Sequence, residues 1–305
     1  MTDSAFQRAS PHRYATVNGV RLHYVEYGKG PLIVLLHGFP ECWYAWRYQL
    51  PALAEAGYRV VAPDLRGYNL SDKPKGVAAY RLECLGGDVK ELIQALGEDS
   101  AVVVGHDWGG VIAWQLAMSD PQVVKKLIIL NAPHPQRYLG ALKTPDQLLR
   151  SWYVVFFQLP WLPELMIRGF GFAGLRQRLL NEPVHADAFD EASVEVYQQA
   201  LAQPGALTAA LNYYRAGFGS LLRGLRQPMR PIEMPTLVIW GEQDRYLGIN
   251  LLQGLEPWVK NLTVEQIADA SHWVQAEVPE RVNERILRFL RPPRAKSGLA
   301  SFLSD

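Results

Sequence analysis

The sequence predicts an α/β fold: a mostly parallel sheet flanked by helices and interrupted by an all-helical segment. Three observations carry this expectation. Strand and helix patterns alternate through the first third of the chain. A strand runs through a very sharp turn into a helix at Gly105–Gly110. The alternation stops after Leu130 and resumes at Thr236. Such a βαβ rhythm builds parallel strands with right-handed crossovers. Residues 1–133 and 231–305 are therefore expected to form two parts of one core, with residues 134–230 as a helical cap.

The elements follow in order. Arg21 to Tyr27 alternates apolar and polar residues, the pattern of a strand with one wetter face. Leu32–Leu36 and Arg59–Pro63 are short continuous apolar runs, as in strands covered on both sides. Between them, Trp43 to Ala56 has helical spacing and stops at Gly57. A helix from about Leu82 to Leu96 precedes the apolar run Ala101–Val104, and Leu127–Leu130 gives a further buried strand. From Asn131-Ala132-Pro133-His134-Pro135 to about Pro231 the composition turns aromatic, arginine-containing and helical. Strands Thr236–Trp240 and Leu262–Ile267 and the amphipathic helix Arg281–Leu290 complete the core.

Bulk properties narrow the function. A chain of 305 residues, 49% of them hydrophobic, supports one large core with an inserted subdomain. The net charge of +1 gives no overall electrostatic footprint for nucleic acid or an anionic surface. Cys42 and Cys84 sit in no CxxC or metal-ligand spacing, so two free thiols in a reducing, cytoplasmic compartment are expected. Met1–Arg8 lacks the apolar stretch of a signal peptide. Trp152 to Gly174 is the greasiest segment, but Gln158, Pro160, Pro163, Glu164 and Arg168 break it. It is no transmembrane helix, though it remains apolar enough to touch lipid. The tail Arg291–Gly298 reads as mobile. The oligomeric state stays open between monomer and homodimer.

The chemistry starts at Gly105-His106-Asp107-Trp108-Gly109-Gly110, a strand–turn–helix in which small residues flank one reactive side chain. An esterase places serine there; this chain has Asp107. A carboxylate attacks saturated, strained or halogenated carbon and forms an ester with its own side chain. Asp244, in the loop after Leu237–Trp240, and His272, after the strand ending near Ile267, fall at the corresponding edge of the sheet. Their order (nucleophile, acid, histidine) is that of the hydrolase triads on such sheets. Asp244 is expected to fix the ring tautomer and favour imidazolium, and His272 to strip a proton from the water that attacks the ester. Taken alone, a loop aspartate is usually a turn residue and a loop histidine a solvated one; three at matching strand ends make coincidence unconvincing. His37-Gly38-Phe39-Pro40 follows the strand Leu32–Leu36, and the Phe39 and Trp108 amides are candidate oxyanion donors. One such donor is typically worth about 10²–10³ in rate. A cis Phe39-Pro40 bond is expected. The single glycine, with proline where a pyrophosphate needs N–H groups, argues against a dinucleotide. Neither cofactor nor metal is expected.

Together with Asp64-Leu65-Arg66-Gly67-Tyr68, Gly241-Glu242-Gln243-Asp244 and Ser271-His272-Trp273, these motifs resemble the α/β-hydrolase-fold epoxide hydrolases from about Arg13 to Leu290. The resemblance implies the α/β-hydrolase fold with an inserted all-helical cap domain. It also implies two cap tyrosines that hydrogen-bond the epoxide oxygen: Tyr153, five residues before Gln158, and Tyr214 in Asn212-Tyr213-Tyr214-Arg215. A phenol suits this task because the alkoxide leaving group is far more basic than a phenolate and takes its proton. His37, Pro40, Trp108, Trp152, Phe157 and Trp273 are candidate pocket residues. The expected partners are a small lipophilic epoxide and water. Trp152, Phe156, Phe157 and Trp161 are expected to be cap core, some of them lining the pocket.

Two other readings stay open. Haloalkane and haloacid-type dehalogenases share the aspartate motifs, but a departing halide wants N–H donors and no proton. Haloalkane enzymes place asparagine where this chain has Phe39, and fluoroacetate-type enzymes place arginine where it has Trp108. A non-catalytic binding protein on the same scaffold is the other; an intact Asp107, Asp244 and His272 argues against it. Two departures from the family pattern are Asn69 for glycine, which tolerates left-handed backbone angles, and Trp161 where glycine is common.

Overall fold

The continuous apolar runs of the sequence become the inner strands of one eight-stranded sheet. The computed structural model describes residues 10–224 and 230–291, so the expectations for Met1–Arg8 and for the tail beyond Arg291 fall outside the described residues. The strands are β1 (His12–Val17), β2 (Val20–Tyr27), β3 (Leu32–Leu36), β4 (Arg59–Pro63), β5 (Ala101–His106), β6 (Val124–Leu130), β7 (Thr236–Gly241) and β8 (Leu262–Ile267). Their spatial order is β1-β2-β4-β3-β5-β6-β7-β8. β2 pairs antiparallel with β1 and β4, and all the other neighbours are parallel.

Every residue of β3 and β5 is buried, because alternate side chains feed separate cores on the two faces. Val34, Leu36 and Val103 point to one, and Ile33, Leu35, Val102 and Val104 to the other. Each such side chain contributes about 1.5–3 kcal/mol by leaving water. β1 is an addition to the expected strands. Asn18 and Gly19, with φ of 48° and 73°, make the tight turn that folds it back on β2.

The helices are α1 (Gln49–Glu55), α2 (Leu82–Ala95), α3 (Trp108–Ser119), α4 (Pro135–Ala141), α5 (Pro145–Arg150), α6 (Trp152–Phe156), α7 (Leu162–Asn181), α8 (Glu191–Ala202), α9 (Ala206–Gly224), α10 (Val274–Glu277) and α11 (Pro279–Leu290). The helix expected over Trp43 to Ala56 is split into a 3-10 turn, Trp43–Trp46, and α1. Pro51 explains the break. A helix restarting at Gln49 places its missing N–H in the first turn, where amides have no intrahelical partner.

Helices α4 to α9 lie between β6 and β7. α7 is interrupted at Gly169–Phe172, where Phe170 and Phe172 take φ of 50° and 63°. α8 opens with a capping box between Asp190 and Ser193. Among the described residues, no helix is long and apolar enough to cross a membrane.

Candidate active site

Asp107 sits between β5 and α3 with φ 48° and ψ −120°, a conformation that costs roughly 1–3 kcal/mol for a residue with a side chain. The neighbouring glycines make it possible. A Cβ on Gly105 would overlap the Gly109 carbonyl, one on Gly109 the Leu36 and His37 carbonyls, and one on Gly110 the Cβ of Ala132. The turn therefore lifts the Asp107 carboxylate above the end of the sheet. There the Phe39 N–H donates to its Oδ2 at 2.9 Å. The Phe39-Pro40 bond is cis, and a Cβ on Gly38 would come within 2.5 Å of the Asp107 Cβ. Trp108 begins α3, where first-turn amides lack partners within the helix.

β7 and β8 end beside this turn. The His272 Nδ1 bonds the Asp244 Oδ2 at 2.8 Å, and its Nε2 lies 3.9 Å from the Asp107 Oδ1. Asn131, just after β6, donates to the Asp244 Oδ2 at 2.8 Å, while the Tyr246 and Leu247 amides donate to its Oδ1 at 2.8 and 2.9 Å. Burial alone would raise the Asp244 pKa; His272 and these donors outweigh it and hold the carboxyl below its ordinary value. Burial works against a charged His272 ring, but the Asp244 carboxylate, followed by Asp107 and Glu41, lifts its pKa to about 9. The resting site thus holds an imidazolium between two carboxylates.

Behind the histidine lies a buried group that sequence reasoning missed. His106 contacts the His272 carbonyl through Nε2 at 2.9 Å and Glu41 through Nδ1 at 2.8 Å. Glu41 in turn accepts from the Gly38 amide at 3.2 Å. The turn bearing Asp107, the loop bearing Phe39 and the loop bearing His272 are so tied together. No periodic pattern links these positions in the sequence. The only available signal was a glutamate directly after Pro40 in an otherwise apolar stretch.

A cavity of about 270 Å³ opens over Asp107 and His272. Its walls include Phe39, Pro40, Trp152, Tyr153, Phe157, Tyr214 and Trp273, and also Tyr246, which the sequence did not nominate. The Tyr153 and Tyr214 rings meet edge to face, 5.9 Å between centroids. Burial, then the nearby Asp107 charge for Tyr214 and the neighbouring Tyr138 and Asp107 for Tyr153, pushes both phenols well above their ordinary pKa. Both keep their protons at neutral pH. Gln158 donates to the carbonyls of Val154 at 2.8 Å and Tyr214 at 3.3 Å. Arg215 donates to the Phe157 carbonyl at 3.0 Å and pairs with Glu164 at 2.8 Å. These two side chains join α6 to α9 and so fix one tyrosine against the other.

Four expectations need correction. His37 does not line the cavity: it is fully buried, its Nδ1 bonded to the Gly38 carbonyl and its Nε2 accepting from the Leu65 amide. The Trp108 ring also stays off the cavity wall, packed against Tyr213, Tyr214 and Gly217. Trp152 and Trp161 are not cap core; they are 56% and 70% exposed. α6 is short and α7, which Trp161 precedes, is interrupted, and among the described residues no element covers the outer side of either ring. Asn69 takes φ 40° and donates to Asp64 at 2.9 Å. Among the described residues, no group of three or more His, Cys, Asp or Glu side chains is arranged to hold a metal ion.

Comparison with known proteins identifies the family. Residues 31–279 match the alpha/beta hydrolase fold family. The chain is 43% identical over 289 residues to the AB hydrolase superfamily protein YfhM of Bacillus subtilis, covering 92% of this chain and 97% of that one. It is 40% identical over 297 residues to Epoxide hydrolase 4 of Homo sapiens, covering 93% and 80% respectively. The crystal structure of a Bacillus megaterium epoxide hydrolase in complex with an inhibitor superimposes with a TM-score of 0.84 at 35% identity, covering 91% of this chain and 99% of that chain. The chain belongs to the α/β-hydrolase-fold family and, within it, groups with the epoxide hydrolases.

Proposed function

We propose that this enzyme opens an epoxide to a vicinal diol in two steps, through an ester on Asp107. The Asp107 Oδ2 is engaged by the Phe39 amide, which leaves Oδ1 to attack one oxirane carbon from the side opposite the breaking C–O bond. The released oxygen takes a proton from Tyr153 or Tyr214. The resting imidazolium of His272 restores the phenol and becomes neutral. Esterification has by then removed the Asp107 charge, one of the influences that raised the histidine pKa, so the neutral ring persists and accepts a proton from water. The hydroxide adds to the ester carbonyl, with the oxyanion held by the Phe39 and Trp108 amides. Collapse returns the Asp107 carboxylate and expels the diol, the remaining water proton going to the leaving oxygen. Confinement of the epoxide beside the nucleophile, away from bulk water, supplies part of the rate.

What supports this reading above all is the meeting, in one cavity, of an amide-held Asp107, a histidine 3.9 Å away and two protonated phenols. The aromatic walls suit a lipophilic epoxide. The same carboxylate could displace a halide from substrate carbon, but a departing halide has no use for paired phenols. Both cysteines are free, in keeping with a cytoplasmic setting, and the chain acts as a monomer or homodimer. The test is His272→Gln with an aryl epoxide: an ester adduct should accumulate on the peptide containing Asp107 and be seen by mass spectrometry. A single turnover of wild type in ¹⁸O-water should then put label into the protein. Label entering only the diol, with no adduct in the variant, would sink the two-step route.

A further inference from the structure

The bond from Nδ1 to Asp244 fixes one end of the His272 ring but not its plane. The χ2 torsion of histidine is broad. The Nε2, 3.9 Å from the Asp107 Oδ1, is too far away to be held by a hydrogen bond there. Packing therefore has to set the tilt. Three rings lie against the imidazole: His106 at 4.9 Å between centroids, Tyr246 at 5.3 Å and Trp273 at 5.4 Å. His106 is fully buried behind it. Of the two that also line the cavity, Trp273 is the next residue of the same loop and offers no independent reference. Tyr246 does, because it comes from the loop after β7.

Tyr246 is itself held at both ends. Its amide donates to the Asp244 Oδ1 at 2.8 Å, and its carbonyl accepts from Gln147 at 2.9 Å. Across the ring, its hydroxyl donates to Glu182 and accepts from the Arg178 Nη1 at 3.4 Å. Both partners lie at the C-terminal end of α7. We propose that Tyr246 is a positioning residue for His272. Pinned to the acid by its amide and to α7 by its hydroxyl, it holds the imidazole plane where Nε2 takes a proton from the water that attacks the Asp107 ester. The seating of α7 is thereby transmitted to the base. This role presupposes the two-step route and falls on its second step. Ester formation uses Asp107 and the phenols and calls on His272 only afterwards, to restore the phenol. A tilted imidazole therefore slows ester hydrolysis and leaves ester formation largely intact.

The experiment is steady-state kinetics with an aryl epoxide, joined to mass spectrometry of the peptide containing Asp107 during turnover. Tyr246→Leu should lower kcat about 10–100-fold, the cost of misplacing a reacting group by about 1 Å. KM should fall with it, because ester accumulates, and kcat/KM should change far less. The adduct should be visible, as in His272→Gln. A variant that is merely less well folded loses kcat with KM in place and shows no adduct. Tyr246→Phe keeps the ring and drops the hydroxyl, so it should slow ester hydrolysis only about 2–10-fold, the value of one hydrogen bond. Glu182→Ala should do the same, and the two together should cost no more than either alone, since both remove one bond. A wild-type kcat in Tyr246→Leu, or a lowered kcat with unchanged KM and no adduct, overturns the inference when His272→Gln still accumulates ester. Independent, additive losses in Tyr246→Phe and Glu182→Ala overturn the link to α7. No adduct in His272→Gln either removes the two-step route, and this role with it.

Discussion

Removing the Asp107 carboxylate takes from His272 one of the groups that hold its ring charged. The His272 Nε2 lies 3.9 Å from the Asp107 Oδ1, and unit charges at about that distance interact by about 4 kcal/mol at an effective dielectric of 20. Each tenfold in proton affinity is about 1.4 kcal/mol, and the partial exposure of Asp107 trims the effect. Asp107→Ala should therefore lower the His272 pKa from about 9 by roughly 2–3. The sign is fixed by electrostatics: a carboxylate favours imidazolium, and its loss favours imidazole. Because an esterified Asp107 is also uncharged, the variant reports the state in which the ring has to accept a proton from water. The assay is an NMR titration of the imidazole across the neutral and alkaline range, with His272→Gln identifying the resonance. Stability should follow. A histidine whose folded pKa lies above its ordinary 6.5 stabilises the fold below that pH and loses this contribution as pH rises through about 9. In the variant that loss moves to lower pH. A ring pKa that stays in place, or rises, would refute the face-to-face placement of Asp107 and His272.

Two further outcomes are expected. Tyr153→Phe and Tyr214→Phe should each slow single-turnover ring opening about 10–100-fold, the value of one hydrogen bond to a charged group. The double variant should suffer more than either single change, while hydrolysis of a preformed ester proceeds as before; unimpaired ring opening in both single variants would remove the phenols from the reaction. Gly109→Ala forces a Cβ into the Leu36 and His37 carbonyls and should cost about 1–3 kcal/mol or more by overpacking, read as a lowered denaturation midpoint together with lost turnover. Unchanged stability would mean that the turn at Asp107 relaxes freely.

Strands β3, β5, β6 and β7 were legible because burial on both faces demands continuous apolar runs. β1 was not: its mostly exposed side chains imprint no such run, and only Asn18-Gly19 marked the turn. Asp107, Asp244 and His272 were readable as neighbours because parallel strands bring their carboxyl ends to one edge. The supports around them were not. His106 pairs with Glu41 across 65 residues of chain and with His272 across 166, and contacts over such distances leave no spacing signature. His37 and Trp108 illustrate a second limit. Adjacency to a motif places a Cα near the site, but packing against Leu65 or Tyr213 decides where the side chain goes. Trp152 and Trp161 illustrate a third, since aromatic composition cannot tell an inner helix face from an outer one.

The seating of Trp108 against Gly217 has a consequence for how this scaffold tolerates change. α9 is keyed to the core twice, by that ring-on-glycine contact and by the Tyr213 hydroxyl donating to the Arg66 carbonyl at 2.7 Å. Tyr214 therefore shares a mounting with Asp107, whereas Tyr153 is braced through Gln158 and Arg215 to α9 and, through the preceding Arg150 and Ser151, to the Asp244 carbonyl and Tyr138. Substitutions at Met166, Ile167 or Leu175 of α7, which line the chamber, can resize it while the reach from Tyr214 to the carboxylate holds its calibration. A designer seeking room for bulkier oxiranes should leave α9 and Tyr153 untouched and rebuild the cavity-lining face of α7.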